Sequence, residues 1–280
     1  MNTALTESKL EAHAEAGMKH QAAIPQYSLP MILFMFAWPA AWFMFLIWVV
    51  SPLFFGTPAP GEFISTWLFF GIATLGNAAE LIVALVVLRR EGYRLTLRDL
   101  RDRARLRWPR GWRKWSLVLV ALAVYALSIV LSPLNEALAK VPGFTPPAWW
   151  PPMTNPTVEV TAPEDLFPDI VLAGNYLFLA VFLVYGFIFN IVGEELYYRG
   201  MLLPKMRGVF GKWDWVANGI LFELKHVYQR WTWGAGIFNS IAFALLGGPV
   251  GSVLLSGLLH WTGSFLLGLI AGLPLIFGGG

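Results

Sequence analysis

Apolar residues occur along this chain in long, nearly unbroken stretches rather than at every second or third position. A helix that crosses the hydrocarbon core of a bilayer needs about 20 mostly apolar residues. Four stretches of this kind precede residue 192, at positions 31–50, 63–88, 115–133 and 170–191. The pattern therefore predicts one membrane-spanning helix in each of these four stretches.

The apolar character of the C-terminal part is interrupted by polar and turn-forming residues. Residues 214–228 and 235–277 are apolar, and Gly247-Gly248-Pro249 divides the second of these segments. We predict three further helices there. The expected fold class is all-α, a polytopic transmembrane helical bundle of about seven spans, with six and eight as the limits.

Composition excludes several other classes of protein. The 280 residues are 57% hydrophobic and 13% charged, whereas soluble domains are about half apolar and a quarter charged. A cytosolic globular enzyme and a disordered chain are therefore excluded. Because the chain has no cysteine, disulfide scaffolds, thiolate metal sites and cysteine nucleophiles are excluded as well.

The charged residues predict an orientation in the membrane. The connection 89–114 holds 11 of the 20 Lys and Arg residues, while the proline-rich connection 134–169 holds one Lys against five acidic residues. Basic loops favour the cytoplasmic side, so we expect this loop and the polar tail 1–29 to be cytoplasmic and the proline-rich loop to be outside. The basic loop lies between two spans, which favours contact with lipid headgroups over nucleic acid. We expect a multi-pass protein of a bacterial or archaeal plasma membrane.

Ionisable residues inside apolar segments are costly and indicate function. Glu195 and Arg199 are four residues apart, so on a helix they share a face and form an ion pair. Glu194 is rotated by about 100° from Glu195, which leaves it unpaired and free for chemistry. Asn190 shares the face of Glu194 and is expected to hydrogen-bond to it or to a water. Glu80, in the second stretch, is interpreted as a hydrogen-bonding group between helices.

His226 and His260 are the two histidines outside the polar tail, and both lie in the apolar C-terminal part. Together with Glu194 they permit two kinds of chemistry. The three side chains could bind a zinc ion, or Glu194 could act as general base on a water that the imidazoles hold. Both routes lead to hydrolysis; a buried polar network that fixes helix packing is the structural alternative.

Three short motifs carry a resemblance to a known family. They are Glu194-Glu195-x-x-x-Arg199, Phe222-x-x-x-His226 and His260-x-x-x-Ser264. In this order and spacing they resemble the CAAX-protease and bacteriocin-processing family, also called the Abi family, which includes type II CAAX prenyl endopeptidases. The third motif of that family ends in Asn or Asp, where this chain has Ser264. The resemblance covers roughly residues 170–277, assigned as the catalytic core, and leaves residues 30–169 as N-terminal membrane spans.

The resemblance implies an intramembrane peptidase of the glutamic type. Its expected substrate is a membrane-associated protein or peptide, with or without a lipid, cleaved near its C-terminus. Glu194 would activate the water with help from His226, and His260 and Ser264 would hold the water or the oxyanion. Glu195, Arg199 and Phe222 would support the site. No cofactor is expected, with zinc on Glu194, His226 and His260 as the minority alternative.

Two points stay open at the level of sequence. A non-catalytic membrane scaffold or bacteriocin-immunity protein of the same fold is the alternative function, and Ser264 is the residue in its favour. Glu194 lies at the end of the predicted fourth span, on the side of the cytoplasm. We therefore expect the catalytic cavity to open toward the cytoplasm or laterally toward lipid.

Overall fold

The computed structural model describes residues 24–278, so most of the polar tail 1–29 lies outside the described part of the chain. Every regular element within this range is helical. The helices are α1 Leu29–Phe55, α2 Thr66–Arg90, α3 Leu97–Arg103, α4 Trp112–Val130, α5 Pro133–Ala139, α6 Tyr176–Met206, α7 Asp214–Leu224, α8 Val227–Val250, α9 Val253–Trp261 and α10 Leu267–Phe277. The predicted all-α class is confirmed.

Five of the described helices are long and apolar enough to cross a membrane, namely α1, α2, α4, α6 and α8. The first three agree with the predicted stretches to within a few residues, apart from an extension of α1 to Phe55. The predicted count of seven stays a prediction for the remaining apolar segments. The stretch 214–228 forms only the eleven-residue α7, which at 1.5 Å per residue is too short to span a bilayer.

Helix α6 differs from the predicted fourth span at both ends. It begins at Tyr176 instead of residue 170 and continues to Met206 instead of ending at residue 191. It continues because the charged residues beyond 191 are buried and paired inside the bundle. It is α-helical over Tyr176–Val184 and π-helical over Tyr185–Gly193 and Glu195–Leu202, and π-helical turns are frequent at functional sites.

The ends of the helices lie on two opposite faces, which we call the basic face and the proline-rich face. On the basic face, the amide of Tyr27 before α1 donates to the carbonyl of Lys205 at the end of α6, and the amide of Val253 donates to the carbonyl of Arg105. Glu91, just after α2, pairs with Lys205 and Arg103 at 2.6 and 2.8 Å. The C-terminal ends of α2, α6 and α8 therefore meet at the basic loop.

The proline-rich face is formed by the opposite helix ends and the proline-rich loop. In the structure this loop runs from residue 140 to residue 175, between α5 and α6. The amide of Thr66 at the start of α2 donates to Asp169 at 2.9 Å, and the indole of Trp231 near the start of α8 donates to the carbonyl of Thr154 at 2.8 Å. Trp150 is fully buried against Trp231, with ring centroids 4.9 Å apart. The loop is thus packed onto the bundle.

One turn of this loop is held by an exposed carboxylate. Asp165 accepts hydrogen bonds from the amides of Ala162 and Thr161, both at 2.8 Å, and from the hydroxyl of Thr161. These donors stabilise the ionised form and lower the pKa of the Asp165 carboxyl.

Candidate active site

Three chain-distant side chains converge in the middle of the bundle. Glu194 lies between the two π-helical segments of α6, His226 follows the end of α7, and His260 lies near the end of α9. The Nε2 atom of His226 is 3.8 Å from Oε1 of Glu194, and Nε2 of His260 is 3.7 Å from Oε2. The imidazoles thus face different oxygens of one carboxylate, at separations that a water can bridge.

Glu195 orients His260. Its Oε1 atom lies 3.1 Å from Nδ1 of His260 and 3.3 Å from Nη1 of Arg199, and its Oε2 accepts a 2.5 Å hydrogen bond from the hydroxyl of Ser256. The ion pair with Arg199, expected from the spacing, is present and buried. A carboxylate at Nδ1 fixes the ring and turns Nε2 toward Glu194.

The ring of Phe222 lies between the guanidinium group of Arg199 and the imidazoles of His226 and His260. The guanidinium carbon of Arg199 lies 3.9 Å from the centre of the Phe222 ring, a distance typical of a cation–π contact. The same ring stands at 87° to His226 and to His260, with centroids 5.1 and 6.1 Å away. Phe222 therefore contacts three of the residues named by the motifs.

Lys225 is the main feature that the sequence analysis missed. Its ammonium group lies 2.6 Å from Oε1 of Glu194 and 3.1 Å from Oε1 of Glu80, and its side chain is fully buried. The hydroxyl of Tyr198 donates to the same oxygen of Glu80 at 2.8 Å. The prediction that Glu194 is unpaired is therefore wrong, because Lys225 neutralises it across 31 residues of sequence.

A signal for this pair exists in the sequence. Glu80 is the only charged residue of the apolar stretch 63–88, and Lys225 is the only Lys or Arg of the stretch 214–228, which also holds Asp214 and Glu223. Buried charges of opposite sign are expected to pair. The structure also brings Glu80 into contact with Tyr198 of α6, so Glu80 links two helices through hydrogen bonds as the sequence analysis expected.

The structure describes the side chain of Ser264 but not that of Asn190, the two remaining residues of the predicted site. Ser264 is exposed and lies one turn after His260, where it lines the same cavities as the two histidines. The side chain of Asn190 lies outside the described part of the structure, so its contact with Glu194 stays a prediction.

Two cavities meet at His226, His260 and Ser264. The larger has a volume of about 600 Å³, and its walls combine apolar surface with polar side chains that include Ser128, Asn239 and the carboxylate of Glu223. The smaller, of about 330 Å³, reaches Glu194 and has walls that are polar and apolar in nearly equal measure. The larger cavity is lined by Tyr125, Ser128, Ile129, Ser132, Asn135, Pro152, Met153, Thr154, Asn155, Pro156, Phe222, Glu223, His226, Gln229, Thr232, Ala235, Gly236, Asn239, Ser240, Phe243, His260, Gly263 and Ser264. The smaller cavity is lined by Phe43, Ile47, Phe69, Phe70, Ile72, Ala73, Asn77, Met153, Thr154, Tyr185, Glu194, His226, Tyr228, Gln229, His260, Gly263 and Ser264.

The two cavities lie toward the proline-rich loop. Residues of the proline-rich loop line both cavities, whereas no residue of the basic loop lines either. On the side of the basic loop, α6 continues past Glu194 for three further turns, whose residues are buried. The expected opening, toward the cytoplasm or laterally toward lipid, stays a prediction.

Two observations bear on the zinc alternative. Within residues 24–278, no group of three His, Asp or Glu side chains has the arrangement of metal ligands. The carboxylate of Glu194, which the zinc alternative requires as a ligand together with His226 and His260, is already in contact with the ammonium of Lys225.

Comparison with known proteins supports the motif reading. Residues 176–275 match the family described as type II CAAX prenyl endopeptidase Rce1-like. No curated protein and no solved structure matches the chain. The matched segment begins with α6, ends in α10 and contains Glu194, His226 and His260. The description of this family names an endopeptidase, and residues 176–275 of this chain are similar to it.

Proposed function

We propose that this protein is an intramembrane endopeptidase of the glutamic type. It hydrolyses a peptide bond near the C-terminus of a membrane-associated protein or peptide. The observation that carries the proposal is the convergence of Glu194, His226 and His260 at the meeting point of two cavities. All three groups lie within residues 170–277, which we assign as the catalytic core.

The geometry suggests a division of roles among these side chains. Nδ1 of His260 donates to Glu195, so its Nε2 accepts a hydrogen of the water and orients it between the imidazole and Glu194. Glu194 takes the other proton as the water oxygen bonds to the peptide carbonyl carbon. Nε2–H of His226 and the hydroxyl of Ser264 donate to the resulting oxyanion.

The second half of the reaction returns the proton. The C–N bond breaks as the tetrahedral intermediate collapses, and the proton held by Glu194 passes to the leaving nitrogen. Lys225 keeps Glu194 ionised between turnovers, because an ammonium group 2.6 Å away favours the charged carboxylate. Water is consumed: its oxygen and one hydrogen go to the new carboxyl group, and its other hydrogen goes to the new amine.

The test is the turnover of a fluorogenic farnesylated peptide and its unlipidated analogue by the purified protein in proteoliposomes. Glu194→Gln keeps the shape of the side chain and removes the base, so kcat falls by about 10²–10⁴-fold while the protein stays folded. His226→Ala has a similar effect. Glu159→Gln, at an exposed position of the proline-rich loop, is the matched control and retains activity. Unchanged turnover by Glu194→Gln contradicts the proposed mechanism.

We propose further that the site works without a metal. Lys225 supplies the positive charge on Glu194, and a divalent cation would have to displace it. Dialysis against a strong zinc chelator therefore leaves the turnover of the same peptide unchanged. Loss of activity that is restored by added zinc would overturn the metal-free site and favour the zinc alternative.

The alternative function is that of a non-catalytic scaffold or immunity protein, and Ser264 is the observation in its favour. Ser264 has a shorter side chain than the Asn or Asp of the family motif. If this alternative holds, the double variant Glu194→Ala, His226→Ala keeps the cellular phenotype of the wild-type protein. The peptidase predicts loss of that phenotype.

A further inference from the structure

The two cavities lie between Glu194 and the proline-rich face. Helix α2 begins at that face with Thr66, and the backbone of Asn77 in the same helix packs against Gly193. At 1.5 Å per residue, Glu194 therefore lies roughly 15–20 Å from the proline-rich face. The cavities are lined by the halves of the helices near this face. These are the first half of α2 and of α8 and the last part of α4.

The opposite side of Glu194 is filled with side chains. The α6 residues from 195 to 206 are all buried. Tyr197, Met201 and Leu202 have no exposed surface, and they belong to one hydrophobic cluster with residues of α1 and α2. A peptide cannot reach Glu194 from the basic face without unpacking this cluster.

The two faces carry very different charge. The basic face holds the 11 Lys and Arg residues of the connection 89–114, together with Lys205, Arg207 and Lys212. The proline-rich face holds two basic residues, Lys140 and Arg230, and the five acidic residues of the connection 134–169. Short basic loops are retained in the cytoplasm. The proline-rich face is then the outer one.

We infer that the site receives its substrate from the outer side of the membrane. The inference rests on the proposed function and narrows the substrate class. The substrate is a polypeptide segment on the extracytoplasmic surface, as in a protein that has been translocated across the membrane, rather than the prenylated C-terminus of a cytoplasmic protein. The larger cavity offers apolar surface together with amide side chains, Asn135 and Gln229 among them, which suits both the side chains and the hydrogen-bonding backbone of an extended peptide.

The natural sequence provides a background for the test, because it contains no cysteine. Single cysteines are introduced by Ser264→Cys in the cavities, Glu159→Cys in the proline-rich loop and Arg101→Cys in the basic loop. Intact cells are treated with a small, membrane-impermeant, cationic methanethiosulfonate, and unmodified thiols are then counted after denaturation. Gln229→Cys is a second cavity variant.

The expected result is that the cysteines at positions 264, 229 and 159 react in intact cells. The cysteine at position 101 reacts at least about ten times more slowly until the cells are permeabilised, since the bilayer excludes a charged reagent. Reaction at 159 without reaction at either cavity position overturns the inference, as does reaction at 101 in intact cells. Modification does not require turnover, so Glu194→Gln in the Ser264→Cys background labels equally. A failure of the proposed peptidase activity is thereby distinguished from a failure of the orientation.

Discussion

Lys225 is surrounded by two carboxylates and has no contact with bulk water. Its ammonium bridges Glu80 of α2 and Glu194 of α6, so it holds together two helices that each bring a buried negative charge. Removing one member of a buried charge cluster leaves the others uncompensated, which typically costs about 3–5 kcal/mol.

We therefore predict that Lys225→Met destabilises the protein by about 3–5 kcal/mol. Adding Glu80→Gln to this variant removes one of the two unpaired charges and recovers part of the loss. Reversible unfolding of the detergent-solubilised protein measures both effects. The exposed Lys140→Met serves as control and changes stability little. Additive rather than compensating effects of the Lys225 and Glu80 substitutions contradict the proposed bridge.

Ser264 is the residue at which this chain departs from the family motif, and the structure gives it a defined position. It lines both cavities one turn after His260. Loss of one oxyanion donor costs about 10²–10³ in kcat. We predict that Ser264→Ala lowers kcat by this factor with little change in KM, whereas Ser264→Asn retains activity.

Thr262 provides a matched control for Ser264. It lies two residues earlier on the same segment, its hydroxyl donates to the carbonyl of Leu258 at 2.8 Å, and it lines neither cavity. Thr262→Ala therefore keeps kcat. Equal kcat values for Ser264→Ala and the wild-type protein remove Ser264 from the mechanism.

At the scale of elements, the position of His226 depends on the close packing of α7 against α8. A Cβ atom at Gly219 in α7 would lie 2.8 Å from Cα of Ile241 and 2.8 Å from the carbonyl oxygen of Ser240. Because these are backbone atoms of α8, they cannot move aside without moving the helix.

Gly219→Ala is therefore predicted to destabilise the protein by about 1–3 kcal/mol and to lower kcat, since α7 ends beside His226. The control is Gly71→Ala in α2, where a Cβ has no neighbour within 4 Å and where alanine favours the helix. Thermal unfolding and peptide turnover are measured on both variants. A Gly219→Ala protein as stable as Gly71→Ala would show that α7 and α8 are less tightly packed than the structure indicates.

The elements also show which parts of the molecule could be predicted from sequence. Hydropathy predicted α1, α2 and α4 well because each helix lies mainly in one uniform solvent. It ended α6 too early, since Glu195 and Arg199 look like the polar end of a span until each is known to have a partner. The stretch 214–228 was predicted as one helix, but α7 ends at Leu224 and the backbone is non-helical at His226.

The same distinction applies to the candidate site. The motifs singled out Glu194, His226 and His260, and the structure brings these three side chains together, while their catalytic role stays a prediction. The motifs could not identify the bridge from Glu80 to Lys225, which joins residues 145 positions apart and depends on how α2 packs against α6 and the end of α7. The side of the bundle that holds the cavities likewise depends on packing rather than on composition.

The whole molecule is electrically asymmetric, with the two cavities near one face and most of the basic residues on the other. Several guanidinium groups of the basic loop are exposed, among them Arg94, Arg98 and Arg110. Basic residues at an anionic membrane surface contribute about 1 kcal/mol each. The basic loop is thus expected to anchor this face to anionic headgroups.

This expectation predicts a dependence of stability on lipid charge. The Tm of the protein in vesicles with anionic phosphatidylglycerol exceeds its Tm in phosphatidylcholine vesicles at low salt, and the difference shrinks at high salt because the charges are screened. The triple variant Arg94→Gln, Arg98→Gln, Arg110→Gln loses most of the difference, whereas Lys140→Gln on the proline-rich face keeps it. If the triple variant responds to anionic lipid as the wild-type protein does, the stabilising charges lie elsewhere on the molecule. The basic residues of this face then determine the orientation of the chain during insertion rather than bind headgroups.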